Sequence, residues 1–128
     1  MNDLTRMLAV SASGMEAQSH RLRHVSENIA NADTPGYRRK TVAFSTLPEW
    51  QGGAVRAGPL RLDPRPLPMI HDPGHVLADA TGHYAGSNVD LLVEIADARE
   101  AQRSYEANLR LFDQARQMQS ALLDILRR

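Results

Sequence analysis

At 128 residues the chain has room for one domain, and its few aromatic side chains and negative mean hydropathy argue against a thick, self-sufficient interior. Fifteen basic residues balance fifteen acidic ones, so no long-range field draws the chain to nucleic acid or to an anionic membrane. The absence of cysteine removes thiol catalysis, thiolate metal sites and disulfides together.

Residues Met1 to Val10 carry Asp3 and Arg6 close together and build no apolar core of signal-peptide length, so signal-peptide secretion is not expected. No apolar run approaches the roughly 20 residues needed to cross a bilayer. Instead, Leu4, Leu8, Met15, Leu22, Val25 and Ile29 recur at steps of three and four, with Ser11 and Gln18 in the two remaining stripe positions. This is a coiled-coil period with polar interruptions and predicts a helix from residue 3 to about 31. On it, His20 and His24 share metal-ligand spacing, but no general-base Glu of a zinc protease motif accompanies them, and solvated surface histidines are the plainer reading. Ser11, Ser13 and Ser26 lack the strand-to-helix elbow that exposes a nucleophile.

The helix is expected to stop in the Asn, Asp, Thr, Pro, Gly cluster from Asn31 to Gly36. Asn28 and Asn31 can bond carbonyls freed at the helix end, Gly36 permits a reversal, and Tyr37 can anchor the departing chain on the helical layer. Arg38, Arg39 and Lys40 form the one basic run, read as an exposed loop face rather than a nucleic-acid contact.

Residues 37 to 87 form a connector with six of the seven prolines and six of the eight glycines, which excludes a long helix. Arg38 to Phe44 and Ala54 to Leu62 alternate weakly and predict short strands; Asp63 to Pro68 favours an extended, polyproline-like path. His71, Asp72, His75, Asp79 and His83 cluster near its end. A turn whose polar groups bond local backbone explains them more simply than a metal or acid–base site. The glycines follow neither phosphate-loop spacing.

A second helix is expected from Asn88 or Asp90, either able to cap it, with Glu94 placed favourably near its positive end. Leu91, Ile95, Ala98, Tyr105, Leu109 and Phe112 repeat the stripe spacing, and Met118, Leu122 and Ile125 resume it after a drift in phase. At 1.5 Å per residue the two helices would be roughly 40 Å and 55 Å long, too long to bury their stripes in one small globule. A two-helix stalk or a subunit of an assembly fits that length.

The run Asn28-Ile29-Ala30-Asn31-Ala32-Asp33-Thr34-Pro35-Gly36-Tyr37-Arg38 resembles the N-terminal signature of the bacterial flagellar axial proteins, the rod and hook family. Its key positions are Asn28, Asn31, Thr34, Gly36 and Tyr37. Arg103-Ser104-Tyr105-Glu106-Ala107-Asn108 resembles the C-terminal signature of the same family through Arg103, Tyr105, Ala107 and Asn108. Between them, Asp72-Pro73-Gly74-His75 and Leu77-Ala78-Asp79 are most similar to the proximal rod proteins, while Asn88-Val89-Asp90-Leu91 suits either of that rod's two sister types. Val76, the His83-Tyr84 pair and Ser87 depart from the pattern.

The resemblance implies a mainly α fold in which the long N- and C-terminal helices (residues 1–36 with the turn, and 88–128) pair as a coiled coil, with a Pro/Gly-rich, irregular or partly β connector outside. It implies a structural subunit of the basal-body rod, not an enzyme, with no cofactor, no small-molecule substrate and no nucleic acid. Partners would be further copies, other rod proteins, proteins of the membrane-ring junction, and the flagellar type III export apparatus that carries it uncleaved to the periplasm-spanning rod. Leu4, Leu8, Met15, Leu22, Val25, Ile29, Leu91, Ile95, Tyr105, Leu109, Phe112 and Leu122 would form the assembly seam. Two readings from other classes remain: a cytoplasmic coiled-coil adaptor, and a metal-dependent enzyme built on His71 to His83.

Overall fold

The structure is a computed structural model and describes residues 2–128. Two long helices dominate it. α1 spans Asp3–Ala30, started by Asn2, whose side chain accepts from the Thr5 N–H at 2.7 Å. It ends where the Asn31 side-chain amide and backbone N–H both donate to the Glu27 carbonyl, at 2.8 and 3.1 Å. Gly36, at φ +76°, then reverses the chain, and its N–H donates to the Ala85 carbonyl. α2 spans Leu91–Arg127 and is capped by Asp90, which accepts from the Leu92 N–H at 3.0 Å; Asn88 turns instead into the connector.

The connector holds two small antiparallel ribbons. β1 (Lys40–Thr46) pairs with β2 (Val55–Leu62) as the alternation predicts. Their register slips between Val42 and Phe44, where Gly58 and Pro59 oppose Ala43 alone. Proline lacks the ladder donor and a Cβ on Gly58 would lie 3.1 Å from the Ala43 carbonyl oxygen, so this pair of residue types suits the bulge. A 3-10 turn, Glu49–Gln51, and the positive-φ Gly52 and Gly53 close the loop between the strands. β3 (Met69–His71) pairs with β4 (His83–Ala85), a ribbon the sequence pattern does not announce.

α1 and α2 pack antiparallel along most of α1, placing Asn28 by Glu94, Arg21 by Asp97, and Gly14 by Asn108. The buried line is one of small and polar residues: Ser11, Gly14, Ala17, Val25 and Asn28 on α1, Glu94, Ala101 and Ala115 on α2. On α2 these fall on a single heptad position, the half-buried Asn108 filling the step between the alanines. Of the apolar stripes, Val25 lies on this line and Leu4 and Leu122 continue it toward the helix ends, while the other stripe residues run beside it. No helix described is long and apolar enough to cross a membrane.

Candidate functional site

Asn28 is the centre of the site. Only 1% exposed, it uses its whole side chain. Its amide donates to the Lys40 carbonyl at 2.9 Å and to the Glu94 carboxylate at 3.2 Å, and its oxygen accepts from the Lys40 N–H at 2.8 Å and the Tyr37 hydroxyl at 3.0 Å. The sequence reading that gave Asn28 to the end of its own helix is corrected here: Asn31 takes that task, while Asn28 points across the helix pair and stitches α1 to β1 and α2. An Asn one turn inside a helix end cannot bond the last carbonyls and face the partner helix together; the buried acceptors win because leaving them unpaired is costly. Burial raises the Tyr37 hydroxyl above its ordinary pKa, keeping it a donor to Asn28.

Glu94 is fully buried, not simply a charge near a helix start. Its carboxylate takes the Arg39 guanidinium as well as Asn28, and Arg39 reaches on to Asp97, which also holds Arg21 at 3.1 Å. The other cations of the basic run are engaged too. Lys40 pairs with Glu27 at 2.7 Å, and that hydrogen bond lowers the Glu27 pKa and raises that of Lys40. Arg38 donates to the carbonyls of Asp63 and Arg65, and the Asn88 amide donates to the same two while its oxygen accepts from the Arg39 N–H. An exposed basic face was the sequence reading; the structure spends these charges inside the molecule, clasping the connector to both helices.

Asn28, Asn31, Thr34, Gly36 and Tyr37 therefore form one continuous unit. The Thr34 hydroxyl donates to Asn31 at 3.0 Å, and Asn31 closes the helix below it. The second signature lies elsewhere. Fourteen residues along α1 from Asn28, about 21 Å away at helical rise, Asn108 packs over Gly14. An added Cβ there would fall 2.7 Å from the Asn108 side-chain oxygen, so the glycine is what lets the helices approach. Tyr105 is half-buried beside this contact, whereas Arg103 and Ala107 face outward.

In the connector motif the His75 N–H closes a turn on the Asp72 carbonyl, Pro73 and Gly74 lie within that turn, and the His75 ring stacks on Tyr84 at 3.9 Å. The Asp79 carboxylate accepts from the Thr81 hydroxyl and N–H and from the His83 N–H, which hold its pKa below the usual range. Among the described residues no three His, Cys, Asp or Glu side chains converge as metal ligands.

Of the stripe residues, Val25 is buried, and Leu4, Leu8, Met15, Leu22, Tyr105 and Phe112 are half-buried. Ile29, Leu91, Ile95, Leu109 and Leu122 stand 41–51% exposed. Sequence reasoning missed Gly14, Ala101 and Ala115 and gave Arg39 and Glu94 other roles. The seven-residue spacing of Glu94, Ala101, Asn108 and Ala115 was the available signal for most of them.

Residues 8–38 match the family described as Flagella basal body rod protein, and residues 80–125 match the family described as Flagellar basal body rod FlgEFG protein C-terminal. The flagellar basal-body rod protein FlgC of Agrobacterium fabrum is 43% identical to this chain over 99% of it and 98% of the relative. That of Yersinia enterocolitica is 35% identical over 86% of this chain and 88% of its own. That of Salmonella typhimurium is 32% identical, over 90% and 92% respectively. Both profile matches cover the signatures whose geometry is described above.

Proposed function

The chain belongs to the flagellar basal-body rod protein family and is a FlgC-type structural subunit of the proximal rod, not an enzyme; from that premise we propose how it is held there. The stripes beside the buried helix line are its assembly surface. Within one chain the helices close on small residues, leaving Ile29, Leu91, Ile95 and Leu109 with apolar surface that no described residue of the same chain covers, while Leu122 continues the buried line of α2 beyond the end of α1. That unfilled flank is the observation that carries the reading.

Covering the exposed half of such a Leu or Ile contributes about 1 kcal/mol each, so several per neighbour stabilise a contact between subunits. Neighbours are further copies of this chain and other rod proteins, joined through heterologous contacts that extend into a tube rather than closing as a dimer. Proteins of the membrane-ring junction lie at the rod's inner end, and the flagellar type III apparatus exports the chain without cleavage into the periplasm-spanning rod. The signature turn, clasped by Asn28, Tyr37, Arg39 and Glu94, fixes the direction in which the connector leaves the helical layer.

The test is whether the protein, detected by antibody in envelope preparations, co-sediments with detergent-resistant basal bodies and is lost from that fraction in a rod-assembly mutant. Recovery only as a soluble protein in both strains would refute the rod reading and favour the adaptor.

A further inference from the structure

Of the five histidines, His71, His75 and His83 lie on the β3–β4 ribbon or in the loop that joins its strands. His75 differs from the other two in what its ring must do. Its Nδ1 accepts the Leu77 N–H at 3.1 Å, which a ring nitrogen can do only through a bare lone pair, so the proton of the neutral imidazole sits on Nε2. The His75 N–H donates to the Asp72 carbonyl and the Ala78 N–H to the His75 carbonyl, both at 3.0 Å. Together these contacts close the turn that carries Val76 and Leu77. The pair is bare, 95% and 61% exposed, and Val76 is the most exposed large hydrophobic residue described.

A protonated ring has no lone pair to offer. Its Nδ1–H would meet the Leu77 N–H donor against donor, and turning the ring over brings a carbon to the same place. The ring itself stays where it is. It is half-buried and lies on Tyr84 with 3.9 Å between centroids and 11° between planes, and a cation on the face of a tyrosine is held there rather than expelled. What yields is the backbone of the turn.

The surrounding groups do not restore the contact. Among the described residues no carboxylate comes within 4.0 Å of a His75 ring nitrogen. The titratable groups around it are Asp72 in its own turn, Tyr84 under its ring, and His71 and His83, whose rings lie 4.6 Å apart across the ribbon. His83 does not act in the same way: the Thr81 hydroxyl gives its proton to Asp79, so His83 Nδ1 donates to Thr81 and does so in either charge state.

We propose that His75 is a pH-sensitive latch in the connector: as a neutral imidazole it holds the Val76–Leu77 turn, and on taking up a proton it releases it. Imidazole side chains exchange that proton between about pH 5 and 8, so the turn is closed toward the upper end of this range and open toward the lower. The Asp79–His83 loop beside it is held by a carboxylate and keeps its bonds over the same range. The latch belongs to the single chain and does not rest on the rod reading. It controls the shape in which an apolar pair is offered to a neighbour.

Amide and ring resonances of the labelled full-length chain, followed between about pH 8 and 5, test it. The Leu77 amide proton should move upfield in step with the titration of the His75 ring carbons. His75→Asn supplies a side-chain oxygen that accepts the N–H two residues on without titrating, so its Leu77 resonance should hold still across the range. His75→Phe keeps a ring on Tyr84 but has no acceptor, and its Leu77 amide should sit at the acid position already at about pH 8. A Leu77 resonance that ignores the His75 titration would overturn the latch. So would one that still titrates in the Asn variant, where His71 and His83 remain.

Discussion

Asn28 on α1 and Glu94 on α2, 66 residues apart in sequence, meet at 3.2 Å with neither side chain open to solvent. They join helix, strand and signature turn in one polar unit, since Asn28 also holds Tyr37 and Lys40 while Glu94 also holds Arg39. A buried carboxylate is tolerated here because every charge nearby has a partner.

Removing that carboxylate should be among the most damaging single changes in the chain. Glu94→Ala strands Arg39, whose side chain is 15% exposed, and unpairs one Asn28 donor. Breaking a buried pair on one side costs about 3–5 kcal/mol, and the remaining Arg39–Asp97 bond moderates the loss to about 3 kcal/mol. Arg39→Met with Glu94→Leu should recover much of it, as no charge is then left alone. Urea unfolding of the purified subunit measures both; a Glu94→Ala midpoint within about 0.5 kcal/mol of the parent would show that the clasp does not hold the fold.

Gly14 and Asn108 give a second, independent handle on the helix pair. Alanine in a helix interior is favoured over glycine by about 1 kcal/mol, yet here its Cβ would press on Asn108 and threaten the 2.9 Å bond from that amide to the Ser104 carbonyl. The two effects should nearly cancel in Gly14→Ala. In an Asn108→Ala background the clash is gone, so adding Gly14→Ala should stabilise by up to about 1 kcal/mol. Additive behaviour across the double-mutant cycle would mean that the two residues do not touch in solution.

How much of this was legible in the sequence differs by element. The two helices follow from apolar residues recurring at three and four, and β1 and β2 from runs long enough to alternate. β3 and β4, of three residues each, are too short to show a period and are framed by proline, glycine and histidine. The signature turn could be recognised from its residue types, but the direction of Asn28 could not. Its partners Lys40 and Glu94 arrive from other elements. Arg39 was misread for the same reason: a local window shows three cations together, while the carboxylates that absorb Arg39 lie on α2, beyond the connector. Long-range pairing also hid Gly14, which looks like a helix defect until Asn108 is seen above it.

The β3–β4 ribbon should respond to acid before the helices do. Hydrogen bonds from the Thr81 hydroxyl, and then from the His83 N–H, lower the Asp79 pKa below its unfolded value. Since folding lowers it, the stabilisation is complete above the unfolded value of about 4 and fades as pH falls through the folded one. Amide exchange should therefore show the Asp79–His83 loop losing protection below about pH 4 while α1 and α2 remain protected. Asp79→Ala should open the same amides already at neutral pH. Unchanged loop protection in that variant would rule out the carboxylate as its organiser.

The assembly flank makes the sharpest separation between folding and function. Leu109 is 41% exposed beside the buried line, so a charge there faces water in the free subunit but a desolvated contact once a neighbour arrives. Leu109→Asp should leave the unfolding midpoint within about 0.5 kcal/mol of the parent and yet exclude the protein from basal bodies and abolish swimming. Leu22→Asp, at a half-buried position, should add a measurable loss of stability to the same defect. The decisive comparison is Leu109→Ala, which removes apolar area without introducing charge: about 1 kcal/mol of lost burial per contact should weaken incorporation rather than abolish it. Normal motility with Leu109→Asp would move the assembly surface off this flank, because no packed contact accommodates an unpaired carboxylate without loss.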